Sequence, residues 1–143
     1  MAAAEADGIR VAAKGQLAAS APSGGHFVVP QLLTDIPEGH EVLQEELFGP
    51  VLVVQVFEDE AEALALANAT DFGLCAGIWT RDGGRQLRLA KGIRSGQVFI
   101  NNYGAAGGVE LPFGGVGRSG HGREKGFEGL RSYTQIKTIA IKH

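Results

Sequence analysis

Two glutamates and a phenylalanine stand immediately before a strongly apolar run. They occur in the segment Gln44-Glu-Glu-Leu-Phe-Gly-Pro50, and the run begins at Val51. A carboxylate can accept hydrogen bonds from two vicinal hydroxyls, and an aromatic ring offers a flat apolar surface for a sugar or a ring. The residues alone favour a solvated glutamate pair with Phe48 in the core, and a ligand site at a strand entrance is the alternative.

The chain has one cysteine, Cys75, which lies between Leu74 and Ala76 in an apolar stretch. A catalytic thiol needs an electropositive, partly exposed setting and a positioned base, and no histidine is near it in the sequence. We therefore predict that Cys75 is a small buried hydrophobic residue.

The four histidines show neither H-x-x-x-H nor Cys/His spacing, so no metal site is predicted.

Gly115-Val-Gly-Arg-Ser-Gly120 matches the G-x-G-x-x-G pattern of dinucleotide-binding turns. That pattern requires a preceding strand, a following helix and an acidic residue about 20 positions later. Leu111-Pro112-Phe113 precedes the match, and Ala140 stands where the acid is required. We therefore interpret the segment as a glycine-rich structural loop.

The elements that must position these residues alternate between strands and helices. Asp59 and Glu62 form a capping pattern at the start of the first helix, and Pro30 limits its strand to an edge or a bulge. This order predicts an α/β fold, a partial open parallel sheet with crossover helices, plus a C-terminal edge strand. The predicted strands are 9–13, 26–34, 51–57, 74–80, 97–101 and 133–141, and the helices are 60–69, 83–91 and 124–130.

Length and composition exclude several classes of protein. With 143 residues, the chain is at most one compact domain, and its apolar runs are too short for a membrane span. The net charge of −3 gives no basic surface for nucleic acid, and a single cysteine fits a reducing, cytoplasmic location. Ten of the 22 glycines fall between Gly104 and Gly129, which predicts one long loop dominated by its backbone.

Several motifs, in order and at matching spacings, carry a family resemblance. They are Gly25-His-Phe-Val-Val-Pro30, Glu45-Glu-Leu-Phe-Gly-Pro-Val51, the segment from Asn101 to Gly126 with its Leu-Pro-Phe-Gly-Gly, and Tyr133-Thr-Gln-Ile-Lys-Thr138. Over nearly its whole length the chain resembles the C-terminal part of the NAD(P)-dependent aldehyde dehydrogenase family. The resemblance implies an enzyme that oxidises an aldehyde to a carboxylic acid with NAD or NADP through a cysteine thioester.

The resemblance also implies a division of the chain and roles for particular residues. Residues 1–132 would be the C-terminal part of the catalytic domain, and 133–143 the strand that joins a neighbouring subunit in a homo-oligomer. Glu46 would bind the nicotinamide ribose hydroxyls and Phe48 would pack against that end of the coenzyme. Phe113 would line the aldehyde tunnel, with Asn102 and Tyr103 nearby.

The chain departs from the family pattern in ways that bear on activity. The Gly-Gln-x-Cys stretch that carries the family nucleophile and the Glu-Leu-Gly-Gly-type motif that carries its general base are both absent. We therefore expect no catalytic residue and no dehydrogenase activity in this chain alone. Gly117 replaces the lysine of the family pattern, and Arg118 carries the charge one position later. The alternatives are a non-catalytic folding or oligomerisation module and a fragment without independent function.

Overall fold

The computed structural model describes residues 7–104 and 108–143. It contains two compact units, residues 1–58 and residues 59–143, called here the first and second units. No helix among the described residues is long and apolar enough to cross a membrane.

The first unit is built on a three-stranded sheet. Its strands are β1 (Arg10–Lys14), β2 (Gln31–Thr34) and β3 (Val51–Val53), and a short 3-10 turn, Glu41–Leu43, lies between β2 and β3. β1 pairs antiparallel with β2, and β2 pairs parallel with β3. Ile9 and Leu33 are buried at the centre of this unit, with partly buried valines and Ile36 around them.

Two predicted strands of the first unit are shorter than expected. The run 26–34 pairs only from Gln31, because Pro30 has no N–H to donate; its carbonyl accepts from Gly15 instead, at 2.8 Å. The run 51–57 pairs only over Val51–Val53, and Val56 and Phe57 beyond it are exposed. The predicted extent of this strand is therefore wrong for this chain, since its described residues do not continue the ladder beyond Val53 and leave Val56 and Phe57 exposed.

The second unit contains the strand and helix alternation expected from the sequence. Its elements are α1 (Glu60–Ala67), β4 (Cys75–Ile78), α2 (Gly83–Gly92), β5 (Gln97–Ile100), a 3-10 turn at Gly117–Ser119, and α3 (Gly126–Arg131). β4 and β5 pair in parallel, with α2 as the connection between them. The α/β class with parallel strands and crossover helices is thus confirmed.

The arrangement differs from the prediction at two points. The described strands form two sheets, one of them with an antiparallel pair, where a single open parallel sheet was expected. Tyr133 to Ile141, the predicted C-terminal strand, is also exposed and forms no strand in the single chain; the amides of Tyr133 and Thr134 donate to the carbonyls of Leu130 and Arg131, both at 3.1 Å. A strand needs a neighbour to accept and donate its backbone hydrogen bonds, and the described residues present none at that position.

The glycine-rich segment packs closely against the start of β4 and β5, although residues 105–107 of it lie outside the described residues. The carbonyl of Gly73 accepts hydrogen bonds from Gly96 and Val116, at 2.9 and 3.1 Å. A Cβ on Gly96 would collide with the carbonyl of Gly114. The glycines here therefore permit close backbone packing, which is why the segment is an ordered loop.

Candidate functional site

The segment that carries Glu46 and Phe48 is a tight loop before β3. The amide of Gly49 donates to the carbonyl of Leu47 at 2.7 Å. The amide of Val51 donates to the carbonyl of Gly49 at 2.8 Å. Neither Phe48 nor Pro50 has a positive φ, so these are two inverse γ-turns centred on those residues. Phe48, at the centre of the first turn, is 96% exposed.

Phe48 is therefore not a core residue. The prediction that places its side chain in the core is wrong. Glu46 is exposed beside it, and the described residues offer its carboxylate no hydrogen-bond or ion-pair partner. The carbonyl of Pro50 accepts from Gln31 at 2.9 Å, which fixes the loop to the amino ends of β2 and β3. The loop thus presents a free carboxylate and a bare aromatic ring on an anchored backbone.

An apolar cavity of about 560 Å³ adjoins the same loop within the first unit. Its walls include Pro30, Leu32, Pro50 and Leu52. The loop contributes Gly49 and Pro50 to these walls, and an apolar surface of this kind suits the ring of a ligand.

A second cavity, of about 330 Å³, lies in the second unit. Tyr103 and Phe113 line it together, as do Phe99, Leu74 and Leu111. The rings of Phe99 and Tyr103 are 5.9 Å apart and tilted by 60°, a favourable aromatic arrangement. The structure therefore brings together two of the three residues predicted for the substrate side.

Asn102, the third predicted residue, is not part of the described lining. Its side-chain oxygen accepts from the amide of Tyr103 at 2.8 Å, and its amide donates to the carbonyl of Gly104 at 3.3 Å. Asn102 thus shapes the turn that carries Tyr103.

The preceding residue, Asn101, was not predicted to have a role. Its φ is +51°, a left-handed conformation that asparagine tolerates, and its side chain bonds both the N–H and the C=O of Thr80 at 3.0 Å. This double hydrogen bond joins the ends of β4 and β5 and sets where the chain turns toward Tyr103. The signal in the sequence was an asparagine directly after a strand.

Phe113 is held by the backbone on both sides. Its amide and carbonyl exchange hydrogen bonds with those of Glu124, at 2.7 and 2.6 Å. Gln97 of β5 donates to the carbonyl of Pro112 at 3.1 Å. Phe113 is therefore tied to a strand and to the segment that leads into α3, and its ring is half-buried at the cavity.

Cys75 also lines this cavity, which the sequence did not predict. The thiol is half-buried in β4 and donates to the side-chain carbonyl of Gln97 at 3.5 Å. Its apolar setting agrees with the expectation, but its burial among the described residues is incomplete.

The glycine pattern at Gly115 to Gly120 has no dinucleotide-binding geometry. An isolated bridge at Phe113 precedes it and a three-residue 3-10 turn lies within it, so neither the strand nor the helix of the pattern is present. The interpretation as a structural loop is confirmed. Among the described residues, no cluster of histidine, cysteine and carboxylate side chains could hold a metal ion.

Comparison with known proteins identifies the family. Residues 1–139 match the aldehyde dehydrogenase family. The chain belongs to the aldehyde dehydrogenase family. It is 39% identical over 137 residues to betaine aldehyde dehydrogenase 1 of Rhizobium meliloti, an alignment that covers 96% of this chain and 28% of the relative.

Two solved structures of aldehyde dehydrogenases are similar to the chain. One, from Burkholderia cenocepacia and provisionally assigned to this family, is 64% identical with a TM-score of 0.93 over 99% of this chain and 30% of its own. The other is indole-3-acetaldehyde dehydrogenase of P. syringae in complex with NAD+, 36% identical with a TM-score of 0.88 over 99% of this chain and 28% of its own. The chain thus spans less than a third of the relatives it matches.

The residues of the first unit fit a nicotinamide coenzyme. The unpaired Glu46 carboxylate can accept from two ribose hydroxyls, and the bare ring of Phe48 can pack against the sugar or the base. Both groups lie on one anchored loop, two positions apart.

Proposed function

We propose that this chain is the C-terminal part of an aldehyde dehydrogenase catalytic domain, residues 1–132, followed by an oligomerisation segment, residues 133–143. The enzyme it belongs to would oxidise an aldehyde to a carboxylic acid with NAD or NADP in the cytoplasm. The observation that carries the proposal is the pair of Glu46 and Phe48, exposed on a loop that the family match includes. The NAD+ complex of the P. syringae relative supports the choice of coenzyme.

In this proposal the chain contributes binding and orientation. When bound, the coenzyme supplies the acceptor for a hydride. Glu46 accepts hydrogen bonds from the nicotinamide ribose hydroxyls, and Phe48 packs against that end of the coenzyme, which together limit its rotation. Phe113 and Tyr103 form an apolar wall for the aldehyde, and Asn102 sets the turn at Tyr103.

The chain does not supply the nucleophile or the general base of the reaction. Its single cysteine lies in strand β4 and bonds to Gln97, an amide that cannot take a proton from a thiol. We therefore place Cys75 in the wall of the cavity, outside the catalytic groups.

The coenzyme contact is tested by titrating the 143-residue chain with nicotinamide mononucleotide and following the amide signals of Leu47 and Phe48 by NMR. We expect shifts confined to the loop, and Glu46→Gln should weaken binding about tenfold because the charged acceptor is lost. Glu45→Gln, the adjacent carboxylate, is the matched control and should leave the affinity unchanged. Equal affinity of the Glu46→Gln variant, or no shift in the loop of the parent chain, would overturn the assignment.

A second candidate function is that of an oligomerisation module. Beyond Arg131 the chain exposes a series of large apolar side chains, Tyr133, Ile136, Ile139 and Ile141. An extended segment with exposed apolar side chains and free backbone groups can add to the edge of a neighbour's sheet.

The module is tested by sedimentation of the chain over a range of concentrations. We expect a concentration-dependent dimer that weakens when residues 133–143 are deleted. The far-ultraviolet circular dichroism should change little, because few backbone hydrogen bonds tie this segment to the rest of the chain. A dimer of equal strength without the segment would exclude it as the interface.

A further inference from the structure

The described lining of the cavity in the second unit carries one charged side chain. This side chain is Lys125, and no carboxylate belongs to the described lining. The carboxylate of Glu110 lies near Gly108 but is not part of the lining. The walls are otherwise apolar or aromatic, apart from the amide of Gln97, the thiol of Cys75 and the hydroxyl of Tyr103.

The backbone holds Lys125 at a defined place. It has a φ of +61° and immediately precedes α3, where its carbonyl accepts from the amide of Gly129 at 2.8 Å. The neighbouring Glu124 is paired with Phe113 through two backbone hydrogen bonds. Lys125 is thus carried next to the phenylalanine that lines the cavity.

The ammonium of Lys125 lies 5.7 Å from the centre of the Phe113 ring. At this distance it makes a cation–π contact, so it competes with a cationic ligand for the same ring. A quaternary ammonium is normally recognised by aromatic side chains without a competing cation. A second positive charge here would be repelled by the ammonium of Lys125, whereas a carboxylate would be attracted.

We propose that Lys125 selects the substrate by charge: the cavity accepts aromatic aldehydes that are neutral or carry a carboxylate, and it rejects aldehydes that carry a quaternary ammonium. This rests on the proposed function, since it takes the cavity at Phe113 as the place of the aldehyde. The aromatic lining and a volume of about 330 Å³ suit a single or fused ring.

The test uses three benzyl alcohols as probes, because they match benzaldehydes in shape and form no imine with lysine. Their para substituents are carboxylate, methyl and trimethylammonium. Binding to the 143-residue chain is followed by NMR at the amides of Tyr103 and Phe113. We expect the carboxylate to bind about tenfold or more tightly than the trimethylammonium compound, with the methyl compound between them.

Variants at Lys125 separate charge from shape. Lys125→Met should bring the anionic and cationic probes within about threefold of each other, Lys125→Glu should reverse the order, and Lys125→Arg should retain it. Lys91→Met removes an exposed lysine of α2 that does not line the cavity, and it should leave the order unchanged.

The outcomes distinguish this inference from the proposed function. Binding of all three probes with equal affinity, or an order that Lys125→Met leaves intact, would overturn the charge selection and leave the dehydrogenase proposal standing. Absence of any shift at Tyr103 and Phe113 with all three probes would overturn both the selection and the placement of the aldehyde. The coenzyme contact is read separately, at the loop of Glu46 and Phe48 in the first unit.

Discussion

Gly117 and Arg118 depart from the family pattern, and the structure gives the departure a physical reason. Gly117 has a φ of +59°, and the carbonyl of Asp71 lies where its Cβ would be, so a side chain does not fit. The amide of Arg118 donates to that carbonyl at 2.8 Å, and its guanidinium stacks on Phe72 at 4.9 Å. The guanidinium of Arg118 therefore packs on an aromatic ring within the second unit.

Glu60 gives a pH-dependent contribution to stability. Its carboxylate accepts from Arg88 at 2.7 and 2.8 Å and from Arg85 at 3.2 Å, and these hydrogen bonds, chiefly that from Arg88, lower the pKa of Glu60 from 4.5 to about 2. A lowered pKa in the folded state stabilises the fold above pH 4.5, and this contribution is lost as the pH falls from 4.5 to about 2.

We therefore expect the free energy of unfolding of the parent chain to fall more steeply over that acidic range than that of Glu60→Gln. Urea unfolding at a series of pH values measures the difference, with Glu62→Gln on the same helix as the control. Parallel pH profiles for the parent chain and Glu60→Gln would show that the ion pair makes no net contribution.

At the scale of elements, α1 and α2 are joined through Asn68. Its amide donates to the carbonyl of Gly92 at 2.9 Å, and its oxygen accepts from the amide of Arg94 at 2.7 Å. Leu64 of α1 packs against Gly92, where a Cβ would be too close. The end of α2 is thus fixed against α1, and α2 in turn connects the two parallel strands that carry Cys75 and Phe99.

The start of α1 depends on its capping residue. Asp59 is extended, and its side chain accepts from the amide of Glu62 at 2.9 Å. Asp59→Ala leaves that amide without its partner and should lower the free energy of unfolding by about 1 kcal/mol, measured by urea denaturation. Asp59→Asn keeps an oxygen acceptor and should be close to the parent chain; a loss as large as that of the alanine variant would contradict the capping role.

At the scale of the whole molecule, the chain buries little apolar surface. Only Ile9, Leu33 and Ile78 are buried hydrophobic residues in the described part of the chain. This small core agrees with a chain that spans less than a third of its relatives.

We expect the purified 143-residue chain to show no oxidation of an aldehyde with NAD or NADP, because the family's nucleophile and base motifs are absent. The formation of reduced coenzyme, followed by absorbance at saturating aldehyde, measures it. Turnover that disappears in Cys75→Ala would contradict this expectation and would make Cys75 the nucleophile.

Local signals in the sequence were sufficient to predict much of the secondary structure of the second unit. The cap at Asp59, the two helices and the parallel strands follow from short-range periodicity and capping chemistry, which act within a few residues. The predicted strand 51–57 is shorter in the structure, and the predicted strand 133–141, which would join a neighbouring subunit, stays a prediction. The reason is the same for both: a strand forms only where a neighbour pairs with it, and sequence periodicity does not say whether that neighbour is present. The prediction that Phe48 is buried was wrong for a similar reason: the apolar character of a side chain does not reveal which residues cover it.

The order of the motifs in this sequence was enough to indicate the family, and the alternation of strands and helices predicted the α/β class. The family resemblance that the motifs carry then implied Glu46, Phe48, Tyr103 and Phe113 as binding candidates. The motifs and the alternation depend on residue type and spacing. The exposure of the Glu46 loop, the cavity shared by Cys75 and Phe113, and the position of Lys125 over an aromatic ring required the folded structure. They depend on contacts between residues far apart in the chain, which spacing along the sequence does not encode.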